Sequence, residues 1–295
     1  MMSCLRIGKK FVAGPPAAKR GQMFESERPR GTGRRAAGLA ELIYHSTVRE
    51  VRRSHRNALA GLLLNIAQAV IFVLAFYLMF TLIGARGAGL RGDFLLYLMS
   101  GIFLFLTHTK AVTAVVKADG PASSMMKHAP LNTAVTISAA ALGALYIQLL
   151  SLLVILFFYH VLVTPVEIDD PVGAMGMLLV AWFSGVGVGM IFMAIKPWLP
   201  EFTQIGVSVY ARTNMIASGK MFVANTLPGY LLPVFDWNPL FHAIDQARGH
   251  IFLNYTPHFT SALYPLWVGL ALVAIGMMAE FFTRKRASAS WSAGR

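Results

Sequence analysis

From Ala58 to Phe282 the chain alternates long uncharged apolar stretches with short polar blocks. A helix needs about 20 apolar residues to cross a hydrocarbon core about 30 Å thick. Six stretches meet that length: 58–84, 93–115, 132–163, 171–195, 202–227 and 261–282, the last closed by Arg284, Lys285 and Arg286. The pattern predicts an all-α integral membrane protein with about six transmembrane helices. The membrane domain runs over 57–283, with a short tail at 284–295.

Upstream of the spans the pattern changes twice. Residues 1–35 are rich in Gly, Pro, Arg and Lys and predict a disordered basic tail. Within it, Met23 opens a more ordinary N-terminus than Met1. Residues 36–56 predict an amphipathic helix. Ala40, Ile43, Tyr44, Thr47, Val48 and Val51 share one arc, while Glu41, His45, Arg49, Arg52, Arg53 and Arg56 share another; Leu42 and Glu50 blur the division. A basic amphipathic helix beside a span lies in the membrane interface.

Composition supports lipid as the solvent. Only 13% of the 295 residues are charged and 56% are hydrophobic, with a mean hydropathy of +0.58; a soluble domain carries about 25% charged residues. The net charge is +13, and 13 of the 26 Lys and Arg precede Ala58. That excess follows the positive-inside rule and suits an anionic lipid surface. No nucleic-acid reader motif accompanies it, so nucleic acid is not an expected partner. The lone cysteine, Cys4, cannot form a disulfide within the chain, and no metal site is expected. Placing the N-terminus inside puts Lys110, Lys117, Lys127, Lys196 and the C-terminal cations inside as well, against Arg86, Arg91 and Arg248 outside. Both termini are then cytoplasmic.

Three segments are candidates for function. The first, 117–131, joins the second and third spans on the inner side. Asp119 and Pro121 suit the start of a short helix there. That helix would expose Met125 and Met126 beside Lys127 and His128, and so offer an adaptable contact for a cytoplasmic partner; the alternative is an ordinary loop.

The second segment is the fifth span, which carries Gln204, Ser208, Arg212 and Lys220 on one i+4 row. Each mid-membrane cation costs roughly 2.5–3.5 kcal/mol on insertion scales, so it faces a cavity or a partner. One reading is a basic strip along an aqueous path. The other has Lys220 snorkelling outward and Arg212 paired with Glu201 or Asp236.

The third segment, 228–256, is polar and broken by Pro228, Pro233 and Pro239. It predicts short helices re-entering the outer leaflet, tolerated only when buried in protein or lining water. Its LFHAIDQARGHIFL run turns Phe241, Ile244 and Ile251 to one side, with His242, Asp245 and Arg248 spaced i, i+3, i+6. Those three read as a structural polar network more readily than as a metal or acid–base set. The aromatics of the second and third spans (Phe94, Tyr97, Phe103, Phe105, Phe157, Phe158, Tyr159) read as packing before they read as a channel wall.

With these blocks in place, the chain resembles the ABC type-2 permeases, and among them the membrane subunits that export capsular polysaccharide. REVRRSHRNALAGLLLNIAQAVI resembles the interface-helix block, through Arg49, Glu50 and Gly61, with Arg53 in the same run. MMKHAPLN resembles the coupling region that docks on the ATPase. RTNMIASGKMF resembles an Arg-x-x-x-x-x-Ser-Gly block, matched by Arg212, Ser218, Gly219 and Phe222. WNPLFHAIDQAR resembles an Asn-Pro-x-x-His-x-x-Glu-x-x-Arg block, matched by Asn238, Pro239, His242 and Arg248, with Asp245 where Glu is expected. Further departures are Arg56, Ala58 and Ala60, and the lack of a Trp near Leu64. The resemblance covers about residues 36–283.

The resemblance implies a homodimer in the bacterial inner membrane, with a channel between subunits and two cytoplasmic ATP-binding subunits. Periplasmic and outer-membrane polysaccharide export proteins are implied as further partners. It also implies that 117–131 couples to the ATPase and that 228–256 acts as an outer gate. Gln204, Arg212, Ser218 and Lys220 become the channel candidates. No G-x-x-x-x-G-K-[ST] loop is present, and the nearest run, Ser218-Gly219-Lys220, lacks the upstream glycine. ATP and magnesium are therefore expected on the partner, with no cofactor on this chain. Alternative cargoes are O-antigen, another lipid-linked glycan or a small hydrophobic compound. A polytopic membrane enzyme would need clustered His, Asp or Glu, and the one dense acidic cluster is Glu167, Asp169 and Asp170.

Overall fold

The computed structural model describes residues 32–54, 58–84, 93–118 and 132–292. Its helices, in chain order, are α1 (Thr32–Ser54), α2 (Ala58–Ile83), α3 (Phe94–Lys117), α4 (Thr133–Leu162), α5 (Pro171–Ile195), α6 (Pro200–Ala217), α7 (Leu232–Phe235), α8 (Pro239–Ile251) and α9 (Leu263–Ser292). A 3-10 turn at Ala224–Thr226 precedes α7. Contacts divide the chain into Met1–Ala40 and Glu41–Arg295. Only the opening turns of α1 are described in the first unit.

All described regular structure is helical, as lipid demands: a helix satisfies its backbone groups internally. Five helices are long and apolar enough to cross a membrane: α2, α3, α4, α5 and α9. The stretch expected as the fifth span, 202–227, differs. It is helical only over Pro200–Ala217, as α6, whose 18 residues rise about 27 Å. Gly219 then takes φ +70 and the helix stops.

Four helices begin on an Asx cap. Asp93, Asn132, Asp170 and Asn238 accept the backbone N–H of Leu95, Ala134, Gly173 and Leu240 respectively. Pro171 and Pro239 occupy first-turn positions where no N–H is needed. These caps fix where the spans start and leave polar groups at the membrane boundary.

The core lies around α3, whose apolar window is 83% buried, whereas those of α2 and α9 are 17% buried. α3 packs on α2, α4, α5, α6 and α8, and α5 packs on α3, α8 and α9. Small residues on α5 permit the closest of these approaches. A Cβ on Gly185 would stand 2.6 Å from the His108 carbonyl, and one on Gly189 would stand 2.8 Å from Val115 Cβ. The aromatics of α3 are packing groups, with Tyr97, Phe103 and Phe105 all buried; on α4, Tyr159 is buried while Phe157 and Phe158 are exposed.

Candidate functional site

The segment from Ser218 to Ala262 folds back against the spans at the end where α3, α5 and α9 begin. Its centre is α8, which packs on α3, α5 and α9. As expected of the LFHAIDQARGHIFL run, Phe241 and Ile244 are buried, and so are His242, Asp245 and Arg248.

Arg248 organises the turn that follows α6. Its Nη1 donates to the carbonyls of Gly219 (3.0 Å) and Phe222 (2.6 Å), and its Nη2 to the carbonyl of Lys220 (2.6 Å). The guanidinium lies over the Tyr97 ring at 4.2 Å. Among the described residues no carboxylate pairs with it. Three carbonyl dipoles and a ring face stabilise the charge in place of an anion. Gly219 is required twice: its φ is +70, and a Cβ there would stand 2.5 Å from the Phe241 ring.

Asp245 faces the other way. Oδ1 accepts from Tyr255 Oη (2.6 Å) and the Ala224 N–H (3.2 Å), and Oδ2 accepts from Thr260 Oγ1 (2.8 Å). Burial and the bond to Asp245 push the Tyr255 phenol up, so it remains a proton donor. His242 accepts the Ser261 N–H at Nδ1 (3.0 Å), which leaves its proton on Nε2. Nε2 donates to the Asp236 carbonyl (2.7 Å) and lies 3.0 Å from Asp236 Oδ1. Asn238 caps α8 and donates from Nδ2 to Asn214 Oδ1 and to the Ala217 carbonyl, both at 2.9 Å. The block is the structural polar network expected of it. Among the described residues no group of three or more His, Cys, Asp or Glu is placed to hold a metal ion.

The basic strip expected on 202–227 does not form, because the helix ends before Lys220. Gln204, Ser208 and Arg212 share the exposed face of α6, whereas Ser218 and Lys220 are buried. The alternative does not hold either. Lys220 does not snorkel: its Nζ sits 3.7 Å from the centroid of the Phe105 ring, 4.9 Å from Phe76 and 5.2 Å from Phe72, with no hydrogen-bond partner. Asp236 is engaged by His242 and not by Arg212.

On α1, Arg49 is exposed and Glu50 half-buried; the Arg53 side chain lies outside the described residues. So do Met125, Met126, Lys127 and His128, together with the rest of 119–131. Of the outer acidic cluster, Asp170 caps α5 and meets His250 Nδ1 at 3.0 Å through Oδ2.

The structure also reveals polar groups inside the spans that the sequence reading missed. His108 is fully buried. Its Nδ1 donates to the Ala181 carbonyl (2.9 Å), and its Nε2 accepts from Tyr210 Oη (2.8 Å). Asn65 Nδ2 donates to Gln148 Oε1 (3.1 Å) and Ser151 Oγ (2.9 Å), joining α2 to α4. Their signal was available: a polar side chain in an apolar span needs an intramembrane partner.

A family model described as ABC-2 type transporter matches residues 41–252, well over half of the 295-residue chain. The matched range runs from α1 through α8 and holds the Arg248 and Asn238 networks. No curated protein matches the chain.

Proposed function

The chain belongs to the ABC-2 type transporter family as a transporter's membrane subunit, not itself an enzyme, and from that premise we propose that it exports capsular, acidic polysaccharide across the bacterial inner membrane. Family membership implies association with an ATP-binding subunit. In this reading α6 makes a sixth pass beside the five longer spans, two ATP-binding subunits serve a homodimer, and both termini face the cytoplasm. ATP binding and hydrolysis act through 117–131 and the α1 helix to bias a channel between two states, which requires contacts that differ between those states. The segment 228–256 is the outer gate.

The observation that carries the cargo reading is Arg212. It is exposed on α6, and among the described residues it has no hydrogen-bond or ion-pair partner. A cation on a membrane helix is expensive against lipid. Facing a water-filled path between two subunits, with Gln204 and Ser208 on the same face, it would meet an anionic polymer instead. The sequence blocks that resemble those of capsule exporters support the same cargo.

The test is deletion of the gene followed by cell fractionation. Acidic polysaccharide trapped in the cytoplasm, with none at the surface, is the expected result. Normal surface polymer in a strain with no second exporter would overturn the cargo assignment.

A further inference from the structure

Two adjoining cavities beside α2 and α4 take no part in the network around Arg248. The first, about 350 Å³, lies among α2, α3 and α4; Asn65, Gln68, Lys110, Thr113, Lys117 and Gln148 are six of its eleven lining residues, and the other five are apolar or glycine. All six side chains are polar or cationic, yet they come from three membrane-spanning helices.

Their hydrogen-bond balance is one-sided. Lys110 Nζ donates to Gln68 Oε1 at 2.6 Å, and Gln148 Oε1 accepts from Asn65. Gln148 itself is 2% exposed, and its Nε2 has no partner. Among the described residues neither Lys110 nor Lys117 pairs with a carboxylate. The lysines stand seven residues apart, two turns along the same side of α3. The cavity therefore offers two cations and an unused buried amide donor, and no carboxylate lines it to balance their charge. An oxyanion completes that set.

The second cavity, about 610 Å³, shares Gly61 and Ile147 with the first. Val48, Val51, Leu62, Leu142 and Leu150 give it an apolar lining, and the exposed Arg52 stands at its margin. An apolar cavity alongside a cationic one matches an amphiphile with an anionic head. Basic pockets between membrane helices bind lipid phosphates in this way.

We propose that the two cavities together hold one anionic phospholipid of the surrounding leaflet. Its phosphate sits against Lys110, Lys117 and Gln148 Nε2, and an acyl chain fills the cavity between α1, α2 and α4. The site requires only that the chain is embedded in lipid and does not depend on the exported cargo.

The test is native mass spectrometry of the full-length chain in detergent, titrated with phosphatidylglycerol or phosphatidylcholine. About one phosphatidylglycerol per subunit should be retained, in preference to phosphatidylcholine by about tenfold or more. The Lys110→Gln/Lys117→Gln double variant should lose that preference. Gln148→Glu should weaken it too, because the new carboxylate repels phosphate while its oxygen can still accept from Asn65; this variant stands in if the lysine pair is needed for folding. Arg284→Gln, which removes an exposed cation outside both cavities, should leave retention unchanged. Equal retention of the two lipids would overturn the proposal, as would an equal loss in Arg284→Gln. Binding of inorganic phosphate that displaces the lipid head without loss of site occupancy would make this a free-oxyanion site and overturn the lipid assignment.

Discussion

Gly101 on α3 lies against the backbone of Lys220. A Cβ built on Gly101 would stand 2.9 Å from both the Cα and the carbonyl oxygen of Lys220, and 2.8 Å from Nη2 of Arg248. The absent side chain is what lets the turn after α6 and the arginine that wraps it seat on the central helix. Gly101→Ala forces these groups apart. Overpacking of this kind costs about 1–3 kcal/mol, so thermal unfolding in detergent should show a Tm lower by several degrees. An unchanged Tm would mean that the turn does not bear on α3.

Arg248→Lys tests the wrapping itself. The guanidinium serves three carbonyls at once, whereas a lysine ammonium is a point donor on a flexible stem. At least one buried carbonyl would be left unpaired, at about 1–3 kcal/mol. The variant should unfold earlier and be cut sooner by protease within 218–227. Wild-type resistance to cleavage would show that Tyr97 and Phe241 hold the turn without the arginine.

Lys220→Met separates stability from use. The ring contacts around the ammonium are worth about 0.5–2 kcal/mol, while removing the charge from water costs several kcal/mol. Dehydration wins, and methionine fills a similar space. The variant should match or exceed the wild-type stability, by up to about 2 kcal/mol, and its Tm should be equal or higher. A lower Tm would show that the rings of Phe72, Phe76 and Phe105 outweigh the cost of dehydration.

Arg212→Ala addresses the proposed cargo path. Exposed and unpartnered, Arg212 contributes little to folding, so assembly should survive while export of acidic polymer drops several-fold in a surface-polysaccharide assay, as expected when charge steering is lost. Arg212→Lys should restore most of it. Export at the wild-type level in Arg212→Ala would remove this residue from the path.

Acid should weaken the end of the bundle where α3 and α5 begin. Burial alone would raise the Asp93 pKa, but bonds from Tyr159, the Leu95 N–H and Thr164 outweigh it and hold the carboxyl below 3.8. The Gly173 N–H is the largest influence and lowers Asp170; burial opposes it, and His250 beside the carboxylate helps to outweigh that opposition. Both carboxylates thus bind protons less readily when folded. Their contribution is complete above the unfolded value and is lost as pH falls through the folded one. Hydrogen-exchange protection at residues 93–97 and 170–174, taken relative to the intrinsic rate at each pH, should fall selectively below about pH 4, and Asp170→Asn should blunt the change at the second segment alone.

Five of the six spans, the α8 helix and the buried character of its polar face were legible because each rests on local signals. Uncharged length sets a span, and Asn238-Pro239 or Asp170-Pro171 sets a start. Lys220 was not legible, because its position depends on where α6 stops. Helical spacing carries Gln204, Ser208 and Arg212 onto one face, but it assumes a helix that Gly219 ends. Nor could spacing place Asn65 opposite Gln148, since their pairing depends on how α2 meets α4. The same holds for His108 and Tyr210, which lie on α3 and α6. Long-range register is a property of packing, and a single chain read end to end does not contain it.

Asn238 uses one amide for two attachments. Its oxygen closes the first turn of α8, and its nitrogen grips the last turn of α6 at Asn214 and Ala217. Those two helices consequently share a rivet rather than a hinge. A tilt of α6 at its free face must either drag the start of α8 with it or break the two bonds from Nδ2, which the cap on Leu240 can outlast. The start of the short buried helix and the end of its neighbour are thus held in register by one side chain.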